Sequence, residues 1–115
     1  MSTAVAPVSH VLYLHGFRSS PRSAKALHVG AWMAQHRPDV QWCSPQLPPS
    51  PAAAMALLQA LTDGWPQAGS LVIGSSLGGF YAAAMAARTG WRSLLLNPAV
   101  HPAREVPRRS TVRMY

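Results

Sequence analysis

The sequence predicts an α/β protein, a three-layer α/β/α fold around a mainly parallel sheet, and three observations lead there. Short apolar, β-rich runs alternate with helical stretches in the order β-α-β-α-β-α-β, with no internal repeat. The runs are apolar enough to be covered on both faces, as Leu94-Leu95-Leu96 shows most plainly. Small residues interrupt the chain where strands end, at His15-Gly16 and from Gly74 to Gly79. Sheets of this kind place their sites at the carboxyl ends of strands, and both interruptions fall there.

Val8 to Leu14 is the first expected strand, bounded by Pro7 and by His15-Gly16. A loop follows from Phe17 to Pro21, after which Ser23 can cap a helix running through Ala24, Leu27, Trp32 and Met33 to about His36, with Pro38 beyond its end. Val40 to Cys43 reads as a second strand. Gln46 to Pro51 carries three prolines and is expected to be extended, because proline lacks the N–H that a ladder or helix interior needs. Ala52 to Leu61 has Met55, Leu58 and Leu61 at helical spacing, and Gly64 stops it. Ser70 to Ile73 is the third strand. A helix then runs from Leu77 through Phe80, Tyr81, Ala84 and Met85 to Arg88, with Gly90 as its terminator. Trp91 to Leu96 is the fourth strand. After Asn97 the apolar periodicity ends among prolines and arginines, so residues 1–101 are read as the folded part and 102–115 as a basic tail without regular structure.

The chain has 115 residues, enough for one domain but few for an open α/β enzyme. With 49% hydrophobic and 11% charged residues it is not a disordered chain, and no apolar stretch approaches a membrane span. Residues 1–7 have neither a basic start nor a long apolar core, which argues against a secretory signal. The single cysteine, Cys43, permits no internal disulfide and is expected to be a buried structural thiol, compatible with a cytoplasmic location. The net charge of +7 raises the question of an anionic partner, but four of the ten basic residues, Arg104, Arg108, Arg109 and Arg113, lie in the tail. No aromatic stacking pattern or zinc-ligand spacing accompanies them. Neither nucleic acid, membrane, metal nor cofactor is therefore expected, and the composition says nothing of oligomeric state.

The stretch from Leu71 to Gly79 carries the chemistry. Gly74-Ser75-Ser76-Leu77-Gly78 fits the G-x-S-x-G pattern between a strand and a helix. A serine hydroxyl is a poor nucleophile unless a base lies against it and the developing oxyanion is stabilised. The elbow supplies geometry: Ser76 sits on a sharp turn that exposes its Oγ, flanking glycines allow close backbone approach, and the Leu77 amide is presented at a helix N-terminus. A small-residue turn without catalysis is the competing reading.

These residues together resemble the α/β-hydrolases, and more closely the YqiA-type esterases. The resemblance rests on Tyr13-Leu14-His15-Gly16-Phe17, on Ser19-Ser20-Pro21-Arg22-Ser23-Ala24-Lys25-Ala26, on Pro45-Gln46-Leu47-Pro48-Pro49, on Gly74 to Gly79 and on Asn97-Pro98-Ala99-Val100. It covers about residues 8 to 101 and implies hydrolysis of short acyl esters. Within it Ser76 matches the nucleophile, the Leu77 and Phe17 amides the oxyanion hole, and His15 a loop-bracing histidine rather than the base. Arg22 and Lys25 match without an assigned step, and a solvated helix face is the plain reading of both. The fold orders its triad as serine, acid, histidine, whereas the 39 residues after Ser76 contain only His101 and then Glu105, in the reverse order. The expectation is a C-terminally truncated serine esterase that is weak or inactive for want of its acid and base. The alternative is a non-catalytic remnant that binds a partner through an exposed sheet edge or the basic tail.

Overall fold

The computed structural model describes residues 7–16, 20–96 and 112–114. Its elements are β1 (His10–Leu14), α1 (Ala24–His36), β2 (Gln41–Cys43), α2 (Pro51–Leu61), β3 (Ser70–Ser75), α3 (Gly78–Thr89), β4 (Arg92–Leu96) and β5 (Val112–Met114). The sheet order is β2-β1-β3-β4-β5, and every neighbouring pair is parallel. The α/β class and the three layers are as the sequence predicts.

Strand alternation sorts the core into two halves. Val11, Tyr13 and Ile73 face one way and pack with Ala26, Val29 and Met33 of α1. Leu12, Leu14, Val72 and Leu95 face the other way, against Leu58 of α2 and Ala82, Met85 and Ala86 of α3. Both faces of β1 are thereby covered, and Val11 to Leu14 are each at most 1% exposed.

Local chemistry sets the helix ends. Ser23 accepts the Ala26 N–H at 3.2 Å and starts α1. Ser50 does the same for Ala53 at 3.3 Å and starts α2. Pro51, expected in the preceding loop, is the first residue of α2, where the N–H it lacks has no helical partner to lose. Gly90 ends α3 at φ 78°, the left-handed conformation that glycine adopts without a Cβ penalty. Of the three apolar residues at helical spacing in α2, Leu58 is fully buried and Leu61 is 42% exposed.

The tail reading needs one correction. Val112–Met114 forms a strand, with Ser93, Leu94 and Leu95 opposite Val112, Arg113 and Met114. A sheet that ended at β4 would offer its edge for pairing along a mostly apolar strand, and the extended Val112–Met114 segment takes that place. Residues 97–101, expected in the folded part, and the rest of the tail, 102–111 and 115, lie outside the described residues. Among the described residues no helix is long and apolar enough to cross a membrane.

The chain leaves β1 in one direction to form β2, then returns across it to form β3 on the other side. That reversal is a topological switch point, the place in such sheets where ligands bind, outside the carboxyl ends of β1 and β3. The residues at those ends are His15-Gly16 and Ser75-Ser76.

Candidate active site

β3 continues two residues past Ile73, and the turn begins where its ladder stops. Ser76 has φ 55°, the only positive value at a non-glycine residue among those described. Side chains avoid this region, so such a residue persists only where surrounding contacts hold it. Here the Ser76 N–H donates to the Leu96 carbonyl at 2.9 Å, tying the turn to β4, and its carbonyl accepts the Gly79 N–H at 2.9 Å. The Ser76 side chain is exposed.

Gly74 and Gly78 make this turn possible by close backbone approach. A Cβ on Gly74 would stand 2.5 Å from the Gly78 carbonyl oxygen and 2.7 Å from Gly79 Cα. A Cβ on Gly78 would overlap the Leu14 carbonyl oxygen and lie 2.7 Å from that of His15. α3 therefore starts against the end of β1 with no room for a side chain. Gly16 brings the other loop in, since a Cβ there would be 3.0 Å from Ser76 Cβ and 3.5 Å from its Oγ.

One amide donor at this corner, that of Leu77, has no acceptor among the described residues. α1 and α2 are capped by serine hydroxyls, whereas α3 has Leu77 at its N-cap and no side-chain cap. Among the described residues no acceptor takes the Leu77 N–H, which leaves it for an anion at the helix N-terminus. Phe17, expected to supply the second amide, lies outside the described residues.

His15 is buried, at 6% exposure, and both ring nitrogens are engaged. Nε2 accepts the Leu47 N–H at 2.9 Å, so Nδ1 carries the proton and donates to the Gly16 carbonyl at 2.8 Å. The imidazole thus ties the loop after β1 to the proline-rich segment around Leu47. With Nε2 occupied by an amide, it has no lone pair to offer Ser76.

The other histidines and acids lie elsewhere. His10 is at the amino end of β1, its ring centroid 4.9 Å from that of Trp65. His28 and His36 are exposed on α1, the latter stacked on Trp32 at 4.2 Å. Asp39 is held by Arg37 at 2.9 Å, and that guanidinium keeps its carboxyl below the ordinary range. Asp63 is exposed in the turn after α2, on the amino-terminal side of β3. His101 and Glu105 fall outside the described residues.

Arg22 is exposed and Lys25 half-buried, before and within the first turn of α1. Cys43 is partly buried against the α2 and α3 side of the core, and burial pushes its thiol up. Among the described residues no group of three His, Cys, Asp or Glu side chains gathers as a metal ligand set. A cavity of about 500 Å³ lies between α2 and α3, lined by residues such as Trp65, Arg88 and Trp91, and shares no residue with the elbow.

Two features here escape the sequence reading. The Leu47 amide as partner of His15 is a contact across 32 positions, signalled only by a Gln-Leu-Pro-Pro stretch that cannot join the ladder. The burial of the Tyr13 hydroxyl without a hydrogen-bond partner has no sequence signal beyond a tyrosine in an apolar strand.

A family model described as an uncharacterised protein family, UPF0227, matches residues 10–109. The matched span includes β1, the loop after it, the elbow and β4, and it runs past residue 101, where the motif resemblance ends. On a match that covers most of its length, the chain belongs to the UPF0227 family.

Proposed function

We propose that the chain is a serine esterase of the α/β-hydrolase kind, with Ser76 as nucleophile toward short acyl esters. The observation that carries this is Ser76 itself, an exposed serine held at φ 55° on a strand-to-helix turn at the topological switch point. A hydroxyl in that position meets a substrate carbonyl from the carboxyl end of the sheet, while the uncapped N-terminus of α3 faces the oxyanion that forms. The resemblance to YqiA-type esterases and membership of UPF0227 support the same reading.

In the proposed reaction Ser76 Oγ attacks the ester carbonyl, and the Leu77 amide, joined by that of Phe17, stabilises the tetrahedral oxyanion. The Ser76 hydroxyl proton passes to solvent water, the C–O bond of the ester breaks and the leaving oxygen takes a proton from water to depart as the alcohol, and a second water hydrolyses the acyl-enzyme to the carboxylic acid and free Ser76. His15 acts by holding the loop after β1, not by moving the proton. None of the described histidines is placed as the general base, and the histidine and acid that follow Ser76, His101 and then Glu105, stand in the reverse of the fold's order; on this reading turnover rests on the oxyanion donors and binding. The rate expected is several orders of magnitude below that of a complete triad.

The test has two arms. A fluorophosphonate probe should modify the purified chain at Ser76, located by peptide mass spectrometry, and hydrolysis of a p-nitrophenyl acyl ester should be slow and lost in Ser76→Ala. Equal hydrolysis by the parent and Ser76→Ala would overturn the nucleophile assignment. Turnover typical of a full triad would overturn the reading that the base is not in place.

A further inference from the structure

The cavity between α2 and α3 lies at the end of the sheet opposite the elbow, where the two helices finish and β3 and β4 begin. Its volume of about 500 Å³ falls within the roughly 300–1,000 Å³ of small-molecule sites. Two indoles wall it. Trp91 is 4% exposed and Trp65 half-buried, their rings stacked at 5.7 Å and 27°, and the His10 ring lies 4.9 Å from Trp65. Trp65, the more accessible indole, is thus fixed by two further rings. The turn that carries it passes through Gly64 at φ 82°, where a Cβ would meet no atom within 4 Å, so the rim is open there.

Four exposed polar side chains share this lining, Gln59, Asp63, Gln67 and Arg88, and among the described residues none has a hydrogen-bond or ion-pair partner. The threonine hydroxyls of the same wall are spent, Thr62 on the Leu58 carbonyl at 2.8 Å and Thr89 on that of Met85 at 2.6 Å. The unspent groups offer donors and acceptors in balance: each carboxamide provides both, Asp63 accepts and Arg88 donates. A bare aromatic ligand would use the indoles and desolvate these groups for nothing. An anion would face Asp63, and a zwitterion would gain little from two exposed, screened charges. A sugar ring suits the whole set, since every hydroxyl both donates and accepts while its C–H face packs on the negative face of an indole.

We propose that this cavity binds a neutral sugar ring, its C–H face on Trp65 and its hydroxyls on Gln59, Asp63, Gln67 and Arg88. The site shares no residue with the serine turn and does not rest on the reading of Ser76. Proton–nitrogen NMR of the full chain, titrated with the methyl glycosides of glucose, galactose and mannose, tests it. At least one glycoside should give saturable shifts at the Trp65 and Trp91 indole N–H groups and at the Gln59 and Gln67 carboxamides, with the Ser76 amide unmoved. Trp65→Ala should weaken that binding about tenfold or more, and Trp65→Phe, which keeps a ring, less than about threefold. Gln67→Ala, on the surface, should weaken it about three- to tenfold, the range of one ordinary hydrogen bond. Ser76→Ala should bind as the parent does. No saturable shift with any of these glycosides, unweakened binding by Trp65→Ala and Gln67→Ala, or tighter binding of indole, free tryptophan or glucose 6-phosphate than of the best glycoside would overturn the proposal. Failure of the fluorophosphonate to modify the chain would sink the nucleophile reading and leave this one standing.

Discussion

Gly78 and Gly79 are adjacent, both buried, and both in the first turn of α3, yet the same substitution should move stability in opposite directions. In Gly78→Ala the new Cβ meets the Leu14 and His15 carbonyl oxygens and, at 2.8 Å, the Leu14 carbonyl carbon. All three are backbone atoms of β1 and the loop after it, so no rotamer change relieves the overlap. The helix must shift away from the sheet, loosening the core cluster that Ala82 and Met85 share with Leu12 and Leu14. Overpacking against side chains costs about 1–3 kcal/mol, and a backbone clash belongs at or above the top of that range, so about 3 kcal/mol or more is expected. In Gly79→Ala the nearest atom is Leu95 Cδ2 at 3.6 Å, an ordinary contact. There the reduced entropy of the unfolded chain should leave stability unchanged or raised by up to about 1 kcal/mol. Urea unfolding of both variants, followed by circular dichroism, reads the difference directly. A loss below about 1 kcal/mol for Gly78→Ala, or equal losses for both, would refute the close approach of α3 to β1.

Three further predictions concern the site and its surroundings. Ser76→Gly should stabilise the fold by roughly 1 kcal/mol in thermal unfolding, because glycine adopts φ 55° without strain, while removing reaction with the fluorophosphonate. His15→Phe keeps a ring but leaves the Leu47 N–H and the Gly16 carbonyl without partners, so urea unfolding should show a loss of about 2–4 kcal/mol for two uncompensated buried groups. Cys43, whose thiol is pushed above its ordinary value by burial, should react with iodoacetamide at mildly alkaline pH much more slowly in the folded chain than in urea. Raising the pH should speed the folded reaction, since only the thiolate attacks; equal rates in folded and unfolded chains would place the thiol in water.

Much of this architecture is written in short-range signals. Ser23 and Ser50 cap helices by reaching three residues ahead, Gly90 ends one by its own backbone freedom, and the apolar runs become strands because helices cover both their faces. The elbow is legible for the same reason, since strand, turn and helix are contiguous. Pro51 is misread because proline suits an extended loop and the first position of a helix equally, and only the Ser50 cap separates the two. Pairing of Val112–Met114 with β4 depends on an edge that the intervening sequence does not announce. The Leu47 amide that His15 accepts and the Ile73 that pairs with Tyr13 come from segments about 30 and 60 residues away, brought close by the fold and not by the local sequence.

Sheet order also determines where this chain can vary. β1 is flanked by β2 and β3, covered by α1 on one face and by α2 and α3 on the other, and capped at its carboxyl end by the backbone of Gly78. Five residues thus meet neighbours in every direction, and a change at any of them reaches the His15 loop and the serine turn together. Substitutions can accumulate on the outer side of α1, where Leu27 and Trp32 are half or more exposed, without touching either. Divergent members of such a family should therefore differ most on that helix and least along β1, a pattern set by geometry before any selection on catalysis.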